Sequence, residues 1–350
     1  MTSNTDIQFD SAGNIGFILL NRPQALNALT HDMCRRLDER LQAWGSDPAI
    51  QAVVIEGAGE KAFCAGGDIR ALYETGKKNH RDCWTFYADE YVMNARIAHF
   101  PKPYIALIDG IVMGGGVGVS VHGSHRIATE RTLFAMPETG IGLIPDVGGS
   151  YFLPRLPGKL GLYLGLSGAR LKAADTLYAG VATHYVPADR LGDLKAALRA
   201  APIRDAADVE TVLKGFVADA GAPSLAEHRA VIDQAFAAAT VEAIMAALTD
   251  AGGDWATKVR DTLLTKSPTS LKLTNRQLRD GGTFTFDDCM RMEYRIVCRL
   301  MQDHDFFEGV RAVILDKDNA PKWRPARLQD VSDAEVERHF ASLGDDELRL

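Results

Sequence analysis

Two carboxylates stand eight positions apart in the otherwise uncharged segment Phe134-Ala135-Met136-Pro137-Glu138-Thr139-Gly140-Ile141-Gly142-Leu143-Ile144-Pro145-Asp146-Val147-Gly148-Gly149. Acids in such apolar, Gly/Pro-punctuated company cap a helix, pair with a cation or react. The reactive use of Glu138 and Asp146 is a general base or nucleophile with a partner that sets its protonation. The competing use is N-capping, because each acid follows a proline where a helix can begin.

Two glycine turns supply the complementary chemistry. Phe63-Cys64-Ala65-Gly66-Gly67-Asp68 and Met113-Gly114-Gly115-Gly116-Val117-Gly118 each follow an apolar run and lead into a helical stretch. A helix start leaves backbone N–H groups without intrahelical partners, and glycine lets a ligand approach them. Two such turns at the ends of neighbouring strands aim two amides at one oxygen, as in an oxyanion hole. Each donor of that kind is worth about 3–4 kcal/mol of barrier in acyl transfer. Gly67 and Gly115 are the expected donors. Plain tight packing of the two turns is the alternative use.

Other chemistries find less support. The run from Gly114 does not complete G-x-G-x-x-G, since Val119 stands where the third glycine belongs, and no P-loop occurs. G-x-S-x-G is absent, so Ser120 reads as a packing residue. Cys64 reads as a small buried thiol. His122 and His125 lack a neighbouring Cys or an H-E-x-x-H pattern, so metal ligation is not expected. Glu90, in Tyr87-Ala88-Asp89-Glu90-Tyr91, reads by default as part of a solvated face.

The elements that must position these residues are α/β in order. Residues 7–9 and 15–20 flank a turn cluster and read as a hairpin. Thr30 caps a helix whose Met33, Leu37, Leu41 and Trp44 share one face. Val53–Ile55 and Tyr104–Ile108 read as strands, each leading through a glycine turn to a helix start, about 50 residues apart. Arg126–Ala128 and Leu133–Ala135 read as further strands. From about residue 192 the chain becomes helical. Ser224 with Glu227 reads as a capping box, and Thr240 caps a helix ending at Gly252. Ser267 precedes an N1 proline, and Gly281 reads as a C′ residue. Cys289, Met292, Ile296, Val297 and Leu300 repeat at helical spacing, and the charged tail after about 318 reads as partly loose.

Composition bounds the rest. The chain has 350 residues with 39 Lys+Arg against 46 Asp+Glu, a net charge of −7, which gives no basic footprint for nucleic acid or an anionic membrane. Hydrophobic residues make up 46%, enough for a full core, and no apolar run reaches membrane-spanning length. The five cysteines form no CxxC, which points to a reducing compartment rather than a disulfide scaffold. The N-terminal MTSNTDIQFD has neither a basic nor an apolar signal-peptide region.

Taken together, three motifs resemble the crotonase (enoyl-CoA hydratase/isomerase) superfamily: Leu20-Asn21-Arg22-Pro23-Gln24-Ala25-Leu26-Asn27-Ala28-Leu29, Ala62-Phe63-Cys64-Ala65-Gly66-Gly67-Asp68-Ile69 and the Gly114–Gly116 turn. The resemblance implies a crotonase-like spiral of ββα units over residues 1–191 carrying the acyl-CoA site. Residues 192–350 are expected to be a helical C-terminal region packing on that core or on a neighbouring subunit, and to be placed to cover the site. Hydratases of the family use two glutamates, and the position of the first is Gly118 here. The Met-Pro-Glu-Thr-Gly-Ile-Gly-Leu-Ile-Pro-Asp-Val-Gly-Gly run, the following Tyr151-Phe152-Leu153-Pro154-Arg155-Leu156, Lys266-Ser267-Pro268-Thr269-Ser270 and Ala320-Pro321-Lys322-Trp323 resemble a branch that hydrolyses short 3-hydroxyacyl-CoA thioesters in valine degradation.

That branch implies catalytic Glu138 and Asp146, oxyanion donors Gly67 and Gly115, and substrate contacts from Glu90, Gly115, Glu138 and Asp146. Arg22, Ala65, Asp68 and Ile69 are expected beside CoA. It implies no metal and no cofactor other than the CoA of the substrate, and a homo-oligomer, trimer or hexamer. The compartment would be the cytoplasm of a bacterium or the mitochondrial matrix of a eukaryote. Enoyl-CoA hydration or isomerisation with Glu138 as the proton shuttle, and non-catalytic binding of CoA esters, are the alternatives.

Overall fold

The computed structural model describes residues 5–350; the N-terminal reading rests partly on residues 1–4, which lie outside them. The chain forms two compact units interleaved in sequence. One takes residues up to Gly67 with Val92–Phe134 and Leu171–Ser224; the other takes Asp68–Tyr91, Ala135–Arg170 and Leu225–Leu350.

The first unit holds the sheets. Strands β1 (Ile7–Ala12), β2 (Ile15–Leu20), β3 (Ala52–Gly57), β4 (Ala62–Cys64), β5 (Tyr104–Ile108), β6 (Ile111–Met113), β7 (His125–Ala128), β8 (Leu133–Ala135), β9 (Leu171–Lys172) and β10 (His184–Tyr185) form two sheets. The larger has the order β1-β2-β3-β5-β7-β10, and the smaller β4-β6-β8-β9. β1 and β2 are the expected antiparallel hairpin; from β2 onward every pairing in the larger sheet is parallel. Each spiral turn puts one strand in the larger sheet and the next in the smaller: β3 then β4, β5 then β6, β7 then β8. The glycine-rich stretches therefore begin as short strands, β4 and β6, that periodicity alone does not reveal.

Alternation builds the core of this unit. Ile15 and Phe17, Ala52 and Val54, Ile105 and Leu107, and Ile127 face one side of the larger sheet. They pack on Leu191, Leu194, Leu198, Val209 and Leu213 from the helices Leu191–Ala200 and Ala206–Leu213. The helix His31–Ser46 begins as expected, with the Thr30 side chain accepting a hydrogen bond from the Met33 N–H, and it buries Met33, Leu37, Leu41 and Trp44. Gly16 lies under Trp44, where a Cβ would come within 2.7 Å of the indole.

The second unit is helical. The Pro268–Gly281 helix is capped by Ser267 and the Val241–Ala251 helix by Thr240, as expected. The Phe286–Leu300 helix buries Cys289, Met292, Ile296, Val297 and Leu300. Three expectations fail. Ser224 makes no capping box: it is the first residue of the 3₁₀ turn Ser224–His228 rather than the residue before it, and its hydroxyl donates to Asp175 Oδ2 at 2.8 Å within the first unit. Gly281 is the last helical residue rather than a C′ residue, and a Cβ there would meet the Ser150 carbonyl at 2.1 Å. The charged tail is ordered: Asp333–Phe340 is a helix, and Trp323, Leu328, Val331, Val336 and His339 are buried. No helix among the described residues is long and apolar enough to cross a membrane.

Candidate active site

In the first unit the two glycine turns lie against each other. Gly66 has φ +117°, and a Cβ there would sit 3.3 Å from the Met113 carbonyl and 3.7 Å from the Gly115 nitrogen. Gly116 is tighter still, since its Cβ would overlap the Cys64 carbonyl at 2.1 Å. Only glycines allow this approach. Gly114 (φ +48°) turns the chain so that Gly115 opens the short helix Gly115–Gly118. The Gly115 N–H therefore precedes the reach of that helix's own carbonyls. Gly67 follows Gly66 and bridges in parallel to Leu29. Ser120 is a packing residue whose hydroxyl donates to the Gly116 carbonyl, and Cys64 is a buried thiol outside any disulfide, directed at the Gly66 carbonyl.

The loop before β3 is braced internally. Buried Asn27 donates to the carbonyls of Ala58 and Ala62 at 2.9 and 2.8 Å. Arg22 donates through Nη1 to the Ala28 carbonyl at 2.7 Å and lies 3.5 Å from Asp6. The Ala65 N–H donates to Leu26 O. Asp68 caps the helix Ile69–Lys78 of the second unit, its side chain accepting from the Ala71 N–H. Arg22, Ala65 and Asp68 thus have local structural duties, and Ile69 is the first residue of the helix that Asp68 caps.

The second unit gathers the carboxylates. Glu138 opens the 3₁₀ turn Glu138–Ile141 and is 5% exposed. Asp146 lies eight residues on and is equally buried, and Glu90, on the helix His80–Ala98, is 2% exposed. The solvated-face reading of Glu90 therefore fails. Capping fails too: neither the Glu138–Ile141 turn nor the Gly149–Phe152 helix has a side-chain cap bond.

One oxygen of Glu138 (Oε2) and one of Glu90 (Oε1) have no hydrogen-bond partner, nor does the Tyr87 hydroxyl. Asp146 is held: Tyr91 Oη donates to its Oδ2 at 2.7 Å. Tyr87, Glu90 and Tyr91 are spaced i, i+3, i+4, which places them on one helical face.

The electrostatics follow from burial. Burial, then the Asp146 charge, pushes the Glu138 carboxyl well above the ordinary range, while its own amide and Lys266 pull it back. Burial, then Asp146, raises Glu90 in the same way. Asp146 itself is pushed up to about 6 by burial against the pull of the Tyr91 bond. Lys266 is lowered by burial and by Arg170, and raised by Glu138. Its Nζ lies where a Cβ on Gly140 would be 3.3 Å away, and the Ser267 N–H donates to Thr139 O.

Tyr87, Tyr91, Lys266 and Glu293 escape the sequence reading. The first two were present only as neighbours of Glu90. Glu293 lay at a helical position among apolar residues, the signal that marks a buried acid. Its carboxylate is fully buried and accepts from the Gly148 N–H, the Ser150 N–H and the Ser150 hydroxyl.

His125 Nε2 is 3.2 Å from Glu210 Oε1, and His184 Nε2 is 3.1 Å from Glu210 Oε2. Both histidines thus share the Glu210 carboxylate within the first unit. Among the described residues, Asp303, Glu335 and His339 are the group with three donor atoms within 4.8 Å of one another. Arg338 Nη2 already lies 2.9 Å from Asp303 and 2.7 Å from Glu335, so a guanidinium supplies the positive charge there.

The first unit thus carries a parallel two-sheet spiral with abutting glycine turns, and the second a group of buried carboxylates. The family profile of enoyl-CoA hydratase/isomerase matches residues 15–340, and the chain belongs to that family. Among its relatives, the mitochondrial 3-hydroxyisobutyryl-CoA hydrolase of Danio rerio is 48% identical, covering 99% of this chain and 92% of the relative. The protein of the same name from Homo sapiens is 45% identical over 100% and 93%. Two solved structures are also similar. A carnitinyl-CoA dehydratase from Mycobacterium thermoresistibile is 43% identical with a TM-score of 0.92, covering 99% of both chains. An enoyl-CoA hydratase from Rhodobacter sphaeroides 2.4.1 is 39% identical with a TM-score of 0.90, covering 99% of this chain and all of the other.

Proposed function

We infer that this chain hydrolyses a short 3-hydroxyacyl-CoA thioester, foremost 3-hydroxyisobutyryl-CoA, to the free hydroxy acid and CoA in valine degradation. The near full-length likeness to hydrolases of that name supports the reaction. The site observation that carries it is a contrast between two positions. Residue 118 is glycine, with no carboxyl for a hydratase's second acid/base group, while Glu138 is buried beside Asp146 with one oxygen unpartnered. Without a carboxyl at position 118 the second acid/base group of a hydratase is missing from its place, whereas Glu138 with Asp146 beside it is sufficient to cleave a thioester.

In this reading the Gly67 and Gly115 amides hold the thioester oxygen as it gains negative charge. Glu138 attacks the carbonyl carbon, the C–S bond breaks and CoA leaves as a thiolate, which then takes up a proton. Water next cleaves the resulting anhydride, releasing the hydroxy acid and restoring Glu138. In the variant of the same chemistry, Glu138 takes a proton from the attacking water. Asp146 orients Glu138 or the water, and Glu90 or Asp146 holds the 3-hydroxyl. Arg22, Ala65, Asp68 and Ile69 line the path of CoA. The reaction belongs to the mitochondrial matrix in a eukaryote and to the cytoplasm in a bacterium; the vertebrate relatives have mitochondrial in their names.

The test is a panel of 3-hydroxyisobutyryl-, 3-hydroxypropionyl-, isobutyryl- and crotonyl-CoA, with CoA release followed by a thiol reagent. Fast release from the hydroxylated esters supports hydrolysis. Conversion of crotonyl-CoA without thiol release would replace it with hydration, the reaction that the name of the Rhodobacter structure carries. Substrate binding with no conversion at all would leave only a CoA-ester-binding protein.

A further inference from the structure

We propose that Glu293 is a positioning residue for Asp146, clamping the strained turn that presents it. The proposal rests on the reading above in giving Asp146 a part in hydrolysis. Immediately after Asp146 the backbone enters the left-handed region twice, at Val147 (φ +52°) and Gly148 (φ +84°). A β-branched residue avoids that region and stays there only where its surroundings over-determine it.

The surroundings here are specific. The Gln277 side chain donates to the Pro145 carbonyl at 2.7 Å, and Tyr91 donates to the Asp146 carboxylate. Beyond Asp146 the turn is gripped by Glu293: Oε2 accepts from the Gly148 N–H at 2.8 Å, and Oε1 from the Ser150 N–H at 2.8 Å and the Ser150 hydroxyl at 2.5 Å. Gly148 is two residues from Asp146, so movement of that amide re-aims the carboxylate. Burial pushes Glu293 up to about 8, and the Asp146 charge adds to the rise. A buried acid is a costly way to fill space, and an apolar side chain of the same size would do it better. What the acid adds is directional bonding to two amides two residues apart.

Glu293→Gln keeps the volume but turns an NH₂ toward one of these N–H donors, so one leg of the clamp is lost. The expected result is a tenfold or greater fall in kcat for CoA release with KM within twofold. Amide hydrogen exchange at Gly148 and Ser150 should speed up at least tenfold. In an Asp146→Asn background the same change should lower kcat by less than twofold, because both act through one carboxylate. Ser150→Ala removes a single bond and serves if Glu293→Gln does not fold; it should lower kcat two- to fivefold at unchanged KM.

Unchanged exchange at the two amides overturns the clamp. Losses of kcat that multiply fully in the double variant overturn the positioning role. If Asp146→Asn alone keeps full turnover, the role of Asp146 in the hydrolysis fails. In that case the positioning proposal falls with it, while the exchange rates still report on the clamp.

Discussion

Tyr91 Oη and Asp146 Oδ2 are joined by a 2.7 Å hydrogen bond in which both groups are buried. The bond favours the ionised carboxylate and works against the burial that pushes Asp146 up to about 6. Tyr91 therefore orients Asp146 and favours its charged form against burial. Tyr91→Phe keeps the ring and removes the donor. Its kcat should fall five- to fiftyfold with little change in melting temperature, and the Asp146 ionisation should move to higher pH. A pH–rate profile with unchanged limbs would show that the bond is only structural.

In the proposed hydrolysis Glu138 must be ionised to attack or to take a proton, so the pH dependence should report on it. Its raised affinity for the proton means activity rises with pH through that group's pKa, from an acid side where it is protonated. Asp146→Asn removes a charge that pushes Glu138 up, so the acid limb of the residual activity should move to lower pH. Lys266→Met removes a charge that pulls Glu138 down, so the limb should move to higher pH. Opposite shifts in the two variants, read from kcat/KM between pH 5 and 9, are the signature.

Glu138→Gln should abolish turnover and stabilise the fold. Its folded-state pKa is raised above the unfolded value, so the stability tied to its proton is fully present below about pH 4.3 and is lost as pH rises through the folded pKa. Glutamine does not titrate. The stability advantage of the variant should therefore grow with pH above about 4.3, by at most about 1.4 kcal/mol per pH unit, and level off once the pH passes the folded-state pKa of Glu138. A gap that stays flat with pH would show that Glu138 is ionised at little cost.

Gly115→Pro tests the proposed oxyanion donor. Gly115 is the first residue of its helix, where proline is tolerated, so the substitution removes one N–H without removing a helical bond. A loss of about 10²-fold or more in kcat, with acyl-CoA affinity within a few-fold, is expected. Near wild-type turnover would return the triple glycine to a purely packing role.

The local signals were legible because their physics is local. Thr30, Thr240 and Ser267 cap helices through bonds to an N–H three residues away, and spacing alone specifies such a bond. The strands Tyr104–Ile108 and Leu133–Ala135 were equally clear from short apolar runs between turns. Ser224 had the same local signature, but its hydroxyl found Asp175, 49 residues away, and the cap did not form.

By itself the sequence determined the α/β order, the two glycine turns and the placing of Glu138 and Asp146 in a charge-poor segment, along with a family resemblance that the full-length relatives uphold. Tertiary structure alone decided which polar groups left water. Glu90 sits in a stretch rich in acids and tyrosines that looks solvated, yet it is 2% exposed. Glu293 reaches Gly148 across 145 positions of chain, and Tyr91 reaches Asp146 across 55. Proton affinity and orientation depend on burial and on the partners met there, and both arise only when distant segments pack together.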